Sequence, residues 1–195
     1  MTRMSIAPVP DWLIPPERGF EAADLDQLPD LPPHTELIDG SLILVGPQAD
    51  FHMSVVSLLE WSLRGTAPRD LRVKREMTVT LERRQRPEPD VMVIHAPAVK
   101  DRRRTTYQPD DVVLAVEVVS PESRVRDRKR KPLLYAEAGI EHFWLVENEQ
   151  DKPVLHTFVL DRDLKSYVPT GIHQDRVRLD VPYPIEIDFS EIDRM

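Results

Sequence analysis

Glu117 is the acidic residue whose surroundings in the sequence most need a chemical explanation. It lies inside the apolar run 112–119 (VVLAVEVV), where a carboxylate carries a large desolvation cost unless something compensates it. An arginine or lysine, a proton, or a divalent cation would each provide that compensation. The plainest alternative is a glutamate at the end of a strand, in an ion pair with one of the many arginines.

Asp90 is a second acid that could belong to the same site. It follows Pro89 and precedes the apolar run 91–94, so it stands where a buried strand begins. An aspartate there is often only a turn residue. If the two strands are neighbours, however, Asp90 and Glu117 can meet, and a pair of carboxylates suits Mg²⁺, which keeps several of its waters. Mg²⁺ activates water and stabilises the charge that develops when a phosphodiester is hydrolysed.

A cluster of basic residues follows the run that contains Glu117. It consists of Arg124, Arg126, Arg128, Lys129, Arg130 and Lys131. A lysine ammonium beside a bound metal can orient the attacking water or neutralise the transition state. Cations without such a role form a solvated basic face, which is the alternative for most of this cluster.

The net charge of −8 is unevenly distributed. Residues 1–63 carry −8, residues 64–135 carry +7 and residues 136–195 carry −7. A basic middle between acidic flanks predicts that a polyanion such as nucleic acid would contact the middle third. With 41% apolar and 31% charged residues in a chain of 195, the composition is that of one folded globular domain.

The spacing of apolar residues predicts the elements that position these side chains. The predicted strands are 35–38, 41–45, 71–81, 91–94, 112–119, 141–146, 154–160 and 166–168, and the predicted helices are 51–64 and 131–138, with a short one near 21–27. Asp39-Gly40 is a favoured two-residue hairpin turn. Strands outnumber helices and a helix separates two central strands, which indicates an α/β fold with a mixed sheet flanked by helices. Seven prolines predict an extended N-terminal arm over 1–33, followed by a single domain over 34–195.

Several other kinds of site are excluded by the sequence. There is no cysteine, hence no disulfide, thiolate ligand or cysteine nucleophile. The six histidines are scattered without zinc-ligand spacing, and no Gly-x-x-x-x-Gly-Lys loop occurs. No apolar run is long enough to span a bilayer, and the N-terminus lacks a signal-peptide pattern, so we expect a cytoplasmic protein without membrane contact.

Short motifs also occur in a specific order and spacing. They are ELIDG at 36–40, His52, Pro89-Asp90-Val91, Glu117-Val118-Val119-Ser120-Pro121, then Asp127, Lys131 and Tyr135 at four-residue steps, Gly139-Ile140, and Phe143-Trp144. Together they resemble the Uma-type restriction endonuclease family of the PD-(D/E)xK nuclease superfamily, over about residues 36–148. The resemblance implies a restriction-endonuclease-like mixed β-sheet flanked by helices, with an N-terminal β-hairpin.

The resemblance also implies roles for individual residues. Asp90 and Glu117 would bind Mg²⁺, or Mn²⁺ in its place, with the Val118 carbonyl as a third protein oxygen. Glu36 would be an acid that approaches the metal or its water, and Lys131 would be the catalytic lysine. The residues expected to support the site or contact a phosphate are His52, Ser120, Asp127, Lys129 and Tyr135.

Two departures from the family pattern leave alternatives open. The superfamily's usual lysine stands two residues after the second acid, where this chain has Val119, so Lys131 would have to supply the ammonium. Pro132 follows Lys131 directly. Since proline is tolerated in a first helical turn, the helix would begin late, near Lys129 or Arg130, and Lys129 becomes a substitute for Lys131. The dense positive charge of residues 128–130 could instead bind a nucleic-acid backbone.

Our leading hypothesis is a Mg²⁺-dependent endonuclease that hydrolyses DNA. The alternatives are a nucleic-acid-binding or complex-forming protein that retains the fold without catalysis, and a metal hydrolase acting on a smaller phosphate ester. A homodimer is expected because cutting two strands needs two sites, and Trp12, Leu13 and Ile14 of the arm could dock on a neighbour.

Overall fold

A computed structural model describes residues 10–195 of the chain; residues 1–9, the beginning of the predicted arm, lie outside the described part. The strands in the described part are β1 Glu36–Ile38, β2 Ser41–Ile43, β3 Leu71–Arg75, β4 Thr78–Val79, β5 Val91–His95, β6 Thr106–Tyr107, β7 Val112–Val118, β8 His142–Glu149, β9 Lys152–Asp161, β10 Ser166–His173, β11 Arg176–Leu179 and β12 Ile185–Asp188. The α-helices are α1 Asp50–Thr66 and α2 Lys131–Glu137, and a π-helical turn, Arg126–Arg130, precedes α2. Short 3₁₀ helices cover Asp11–Leu13, Ala22–Asp26, Ala96–Ala98, Pro109–Asp111 and Phe189–Arg194. None of these helices is long and apolar enough to cross a membrane.

Six strands form the central sheet, in the order β10-β9-β8-β7-β5-β3. β7 and β8 run parallel and every other neighbouring pair is antiparallel. The chain passes from β7 to β8 through the π-helical turn and α2, as a parallel pair requires a crossover. The predicted mixed sheet flanked by helices is therefore confirmed.

The sheet is covered on both faces, as the apolar run of β7 predicts. Alternate residues of β7 point to opposite sides: Leu114 and Val116 pack with α1, whereas Ala115 packs with Tyr135 of α2. Glu117 has the parity of Ala115, so the sequence places its carboxylate on the α2 face.

The predicted hairpin is present, with β1 and β2 paired from Glu36–Ile43 to Ile38–Ser41. Asp39 and Gly40 have φ of 55° and 75°, the two positive values of a type I′ turn. The guanidinium of Arg84 lies against Gly40, where a Cβ would collide with it. This turn fixes the direction in which β1 presents Glu36.

The single strand predicted over 71–81 is wrong, because the chain bends at Glu76. This residue has φ of 51° and separates β3, which pairs with β5, from β4, which pairs with β6. The short strand β6 and the hairpin of β11 and β12 were not predicted. Part of the Pro-rich segment also packs on the domain, since Phe20, Ala22 and Leu25 form a cluster with Leu37.

Candidate active site

Asp90 and Glu117 are cross-strand neighbours at one end of the sheet. The antiparallel register of β5 and β7 pairs Val91 with Val116, so the next pair outward is Asp90 and Glu117. Residues directly opposite in such a pair point to the same face, with Cβ atoms roughly 5 Å apart. The side chain of Asp90 also accepts a hydrogen bond from the Val118 amide, at 2.6 Å from Oδ2. The two acids therefore stand on neighbouring strands and line the same cavity.

Lys131 is the cation at the centre of this group. Its Nζ lies 2.8 Å from Oε2 of Glu117, 2.8 Å from Oε1 of Glu36 and 3.4 Å from Oδ1 of Asp127. The side chain is only 5% exposed. One buried ammonium thus connects three acids from β1, β7 and the π-helical turn.

The π-helical turn explains how Lys131 reaches the site although Pro132 follows it. Proline has no N–H and its ring clashes with the carbonyl four residues earlier, here Arg128. The backbone widens instead, and the amide of Lys131 bonds to the carbonyl of Arg126, five residues back. α2 itself begins at Lys131, next to the expected start near Lys129 or Arg130, but helical turns that the sequence did not predict precede it from residue 124. Turns of this kind frequently occur at functional sites.

Tyr135 and His52 hold the two strand-borne acids from opposite sides. The hydroxyl of Tyr135 donates to Oε1 of Glu117 at 2.6 Å, and burial raises the pKa of Tyr135 well above its ordinary value, so the hydroxyl keeps its proton. Nε2 of His52 lies 3.2 Å from Oδ1 of Asp90. Burial lowers the pKa of His52, but its contact with Asp90 outweighs that effect and raises the pKa overall.

Glu36 is held in turn by the backbone of the segment before Asp90. Its Oε1 accepts a hydrogen bond from the Glu88 amide at 2.8 Å. Leu37, its neighbour in β1, bonds through its amide to the carbonyl of Arg86 at 3.0 Å. The N-terminal hairpin is therefore tied to the segment that carries Asp90, and it delivers Glu36 to Lys131.

Negative charge exceeds positive charge in the site. Burial would lower the pKa of Lys131, but the carboxylates of Glu117, Glu36, Asp127 and Asp90 hold it well above the usual value, so Lys131 is charged. Burial raises the pKa of Glu117 well above its ordinary range; Lys131 opposes this shift, and the other acids add to it. Burial likewise raises the pKa of Asp127. The cavity is lined by seven acids against the two cations Lys131 and Arg126, which leaves room for a further positive charge.

The donor chemistry of the site fits a hard divalent cation. The site residues line a cavity of about 40 Å³, which is space for a small ion and water. Oδ1 of Asp127 is buried there and makes no hydrogen bond within residues 10–195, although Lys131 Nζ lies 3.4 Å away. Within residues 10–195, no three His, Asp or Glu side chains are grouped in ligand positions. Asp90, Glu117 and a backbone carbonyl would thus have to suffice, which is compatible with Mg²⁺, since it uses one or two carboxylates and several waters.

Lys129 and Ser120 are less closely associated with the acids of the site than the sequence predicts. Lys129 is exposed and lines a groove over α2 and β10, away from the acids. Ser120 lines the cavity, but its hydroxyl bonds to that of Ser123 at 2.9 Å. The dense basic run is largely neutralised, because Arg128 pairs with Glu147 and Arg130 pairs with Asp39.

The cavity is also lined by residues that the sequence did not assign to the site. Among them are His34, Glu76, Glu88 and Arg126, the last noted only as part of the basic cluster. Nδ1 of His34 lies 2.6 Å from Oε1 of Glu88, and Nε of Arg126 is buried without a partner. The only local signal was Glu88 in Pro87-Glu88-Pro89-Asp90, an acid two residues before a predicted ligand.

Comparison with known proteins places this arrangement in a family. No curated protein matches the chain. A crystal structure described as "a putative nuclease belonging to DUF820", from Anabaena variabilis, is similar with a TM-score of 0.58 at 18% identity, over 81% of this chain and 88% of that one; it supports the fold alone. A family model, Uma2, described as "Putative restriction endonuclease", matches residues 22–192. The chain therefore belongs to the Uma2 family of restriction-endonuclease-like proteins.

Proposed function

We propose that this protein is a Mg²⁺-dependent endonuclease that hydrolyses phosphodiester bonds in DNA. One observation carries the proposal: Asp90 and Glu117, from neighbouring strands, line one polar cavity in which Lys131 Nζ lies 2.8 Å from Glu117. Membership of the Uma2 family supports a nucleic-acid substrate. Mn²⁺ could replace Mg²⁺, since it accepts the same oxygen ligands.

The residues that would hold the ion are Asp90, Glu117 and the Val118 carbonyl. When bound, Mg²⁺ supplies an activated water and neutralises charge on the phosphate. Tyr135 and His52 fix the two carboxylates through the 2.6 Å and 3.2 Å contacts. Fixed ligands need no reorganisation when the ion and the substrate arrive, and this preorganisation favours catalysis.

Lys131 has the role of a fixed positive charge. It remains protonated because four carboxylates surround it, so it acts as a hydrogen-bond donor and a charge rather than as a base. An ammonium so placed can orient water or stabilise negative charge on the phosphate in a site of low dielectric constant. Glu36 keeps that ammonium beside Glu117, because it bonds to both Nζ and the Glu88 amide.

The test compares isosteric variants on supercoiled plasmid. Asp90→Asn and Glu117→Gln should each lower Mg²⁺-dependent nicking by at least about 10²-fold, since each removes a charge on which ion binding depends. Glu137→Gln is the matched control, because Glu137 is an exposed acid of α2 without an ion pair. Circular dichroism checks that all three variants remain folded. Full activity in either site variant would contradict the proposal.

A second function is favoured by a separate observation. Both carboxylate oxygens of Glu117 already accept hydrogen bonds, from Lys131 and Tyr135, and an acid so engaged can be purely structural. In that case the protein would bind nucleic acid or join a complex without cutting. Salt-dependent DNA binding that is indifferent to Mg²⁺, with no nicking by the wild-type protein, would favour this alternative.

The proposal also includes a homodimer and a cytoplasmic location. Two sites would be needed for a double-strand cut. Of the arm residues expected at a dimer contact, Ile14 is 61% exposed, whereas Trp12 and Leu13 are half-buried. Light scattering of the purified protein tests the dimer directly, and a monomeric mass at micromolar concentration would exclude it.

A further inference from the structure

A group of exposed and half-buried cations lies along the edge of the central sheet. We name this group the edge ridge: Arg69, Arg72 and Lys74 of the β3 segment, and Lys100 and Arg102 of the loop after Ala96–Ala98. The loop begins beside β3, because the amide of Ala96 donates to the carbonyl of Asp70 at 2.7 Å. Residues 69–75 and 100–104 together carry a net charge of +6, so the remainder of the chain carries −14.

The cations of the edge ridge are not neutralised by the protein itself. Within the described residues, none of the five has a carboxylate within 4.0 Å of its side-chain nitrogens. Arg72 bonds only to backbone carbonyls, those of Arg69 and Leu71. By contrast, Arg128 and Arg130 of the basic run after β7 each have a carboxylate partner. Within the described residues the edge ridge is therefore uncompensated throughout, whereas half of the basic run after β7 is paired with carboxylates, namely Arg128, Arg130 and Lys131.

Lys74 is the least expected member of the edge ridge. Its side chain is half-buried and makes no hydrogen bond to any residue from 10 to 195. Burial lowers the pKa of Lys74, and Arg64, Arg102 and Arg72 lower it further. A cation in these surroundings disfavours the folded state. It would be stabilised by an external anion that several of these groups can share.

The edge ridge leads directly to the candidate active site. Along β3, Leu71 and Val73 point to the α1 face of the sheet. Arg72 and Lys74 alternate with them, so these two cations lie on the opposite face, which also carries Asp90. They are about 6.6 Å apart along the strand. Two residues further on, Glu76 lines the site cavity, and its amide donates to the carbonyl of Asp90 at 3.1 Å.

From this continuity we propose that the edge ridge binds the phosphodiester backbone of the nucleic acid and guides it into the site. The partner is a polyanion with regularly repeated charges, which matches a row of unpaired cations beside an otherwise acidic surface. The contact is to phosphate, so it positions the substrate without reading its sequence. The inference rests on the proposed function for the nature of the partner, although not for cleavage.

The experiment measures binding of a fluorescent 30-base-pair duplex in EDTA, where no cleavage occurs, over a series of salt concentrations. The test variant is Lys74→Gln with Arg102→Gln; the control is Lys152→Gln with Lys165→Gln, two cations without an ion pair on the β9–β10 side. Each pair changes the net charge by the same amount. Loss of two phosphate contacts should reduce the slope of log K against log salt by about 1.8, and affinity about 60-fold at 0.1 M salt.

Any of three binding results would overturn the proposal: no binding by the wild type in 50 mM salt, equal losses in the two double variants, or an unchanged salt slope in the test variant. Thermal unfolding guards against misfolding, because Lys74→Gln removes a disfavoured charge and should melt no lower than the wild type. A localised loss of binding supports the edge ridge even if the wild type never nicks plasmid, which separates it from the nuclease proposal. Retained nicking with an unchanged KM in the test variant would count against the edge ridge alone.

Discussion

Replacing Lys131 by methionine tests whether one ammonium holds the acidic site together. Methionine keeps a long unbranched side chain and removes only the charge and its donors. In the wild type, Nζ lies 2.8 Å from Glu36 and Glu117 and 3.4 Å from Asp127. The variant leaves these three buried acids without a cation.

The expected loss of folding stability in Lys131→Met follows from the contacts that Nζ makes and from their burial. The charge-assisted hydrogen bond to Glu117 contributes roughly 1.5–3 kcal/mol. Together with the buried ion pair to Glu36, its removal should cost about 3–5 kcal/mol, as for other broken buried pairs. For a chain of this size, 1 kcal/mol corresponds to about 2–4 °C in Tm. We therefore expect Lys131→Met to melt about 6–20 °C below the wild type.

The assay is thermal unfolding followed by circular dichroism, with Lys129→Met as the control. Lys129 is exposed in the same helical segment, and its replacement should change stability by about 0.5 kcal/mol at most. Glu36→Gln combined with Lys131→Met should be less destabilised than the sum of the single variants, by about 0.5–3 kcal/mol. The reason is that the glutamine removes one of the unpaired charges and can still accept from the Glu88 amide.

The direction in which the stability of Lys131→Met changes with pH can also be predicted. Burial raises the pKa of the Glu117 carboxyl. Without Lys131, the folded protein therefore keeps a proton on Glu117 at pH values at which the unfolded chain has already released it. Stability of Lys131→Met should therefore fall as the pH rises from 5 to 8, more steeply than in the wild type. Equal melting of Lys131→Met and Lys129→Met across this range would refute the central role of the ammonium.

Three other predictions concern stability. Arg86 is buried and bonds to Asp26 at 2.8 and 2.9 Å; because Asp26 is 43% exposed, Arg86→Met should cost about 1.5–3 kcal/mol in urea unfolding, whereas Arg83→Met, an exposed control, should change little. Tyr135→Phe removes the 2.6 Å donor to Glu117 and should cost about 1–3 kcal/mol, and an unaltered midpoint would mean that this bond is absent in solution. Mg²⁺ at 100 times its Kd should raise stability by about 2.7 kcal/mol, an increase in Tm that EDTA reverses and that Glu117→Ala lacks.

The sequence alone singled out the acids of the candidate site because the signals that mark them are local. A glutamate in an aliphatic run, an aspartate before a buried strand, and Asp-Gly between two strands each predict their own surroundings from short-range physics. Alternation along 112–119 fixed the face of Glu117, and four-residue spacing put Asp127, Lys131 and Tyr135 on one side of a helix.

Contacts between distant parts of the chain decided which side chains reach the site and which charges are neutralised. Whether Lys131 or Lys129 serves the site depended on how the helix accommodates Pro132, and the π-helical turn turns Lys131 inward. Glu88 enters the site only through the fold of β1 against a segment about fifty residues away. Which arginines are neutralised could not be predicted either, because partners such as Asp39 and Arg130 are 91 residues apart in the chain. Local spacing fixes the face on which a side chain lies, but the packing of the whole chain determines which partners meet it there, and therefore which charges stay free.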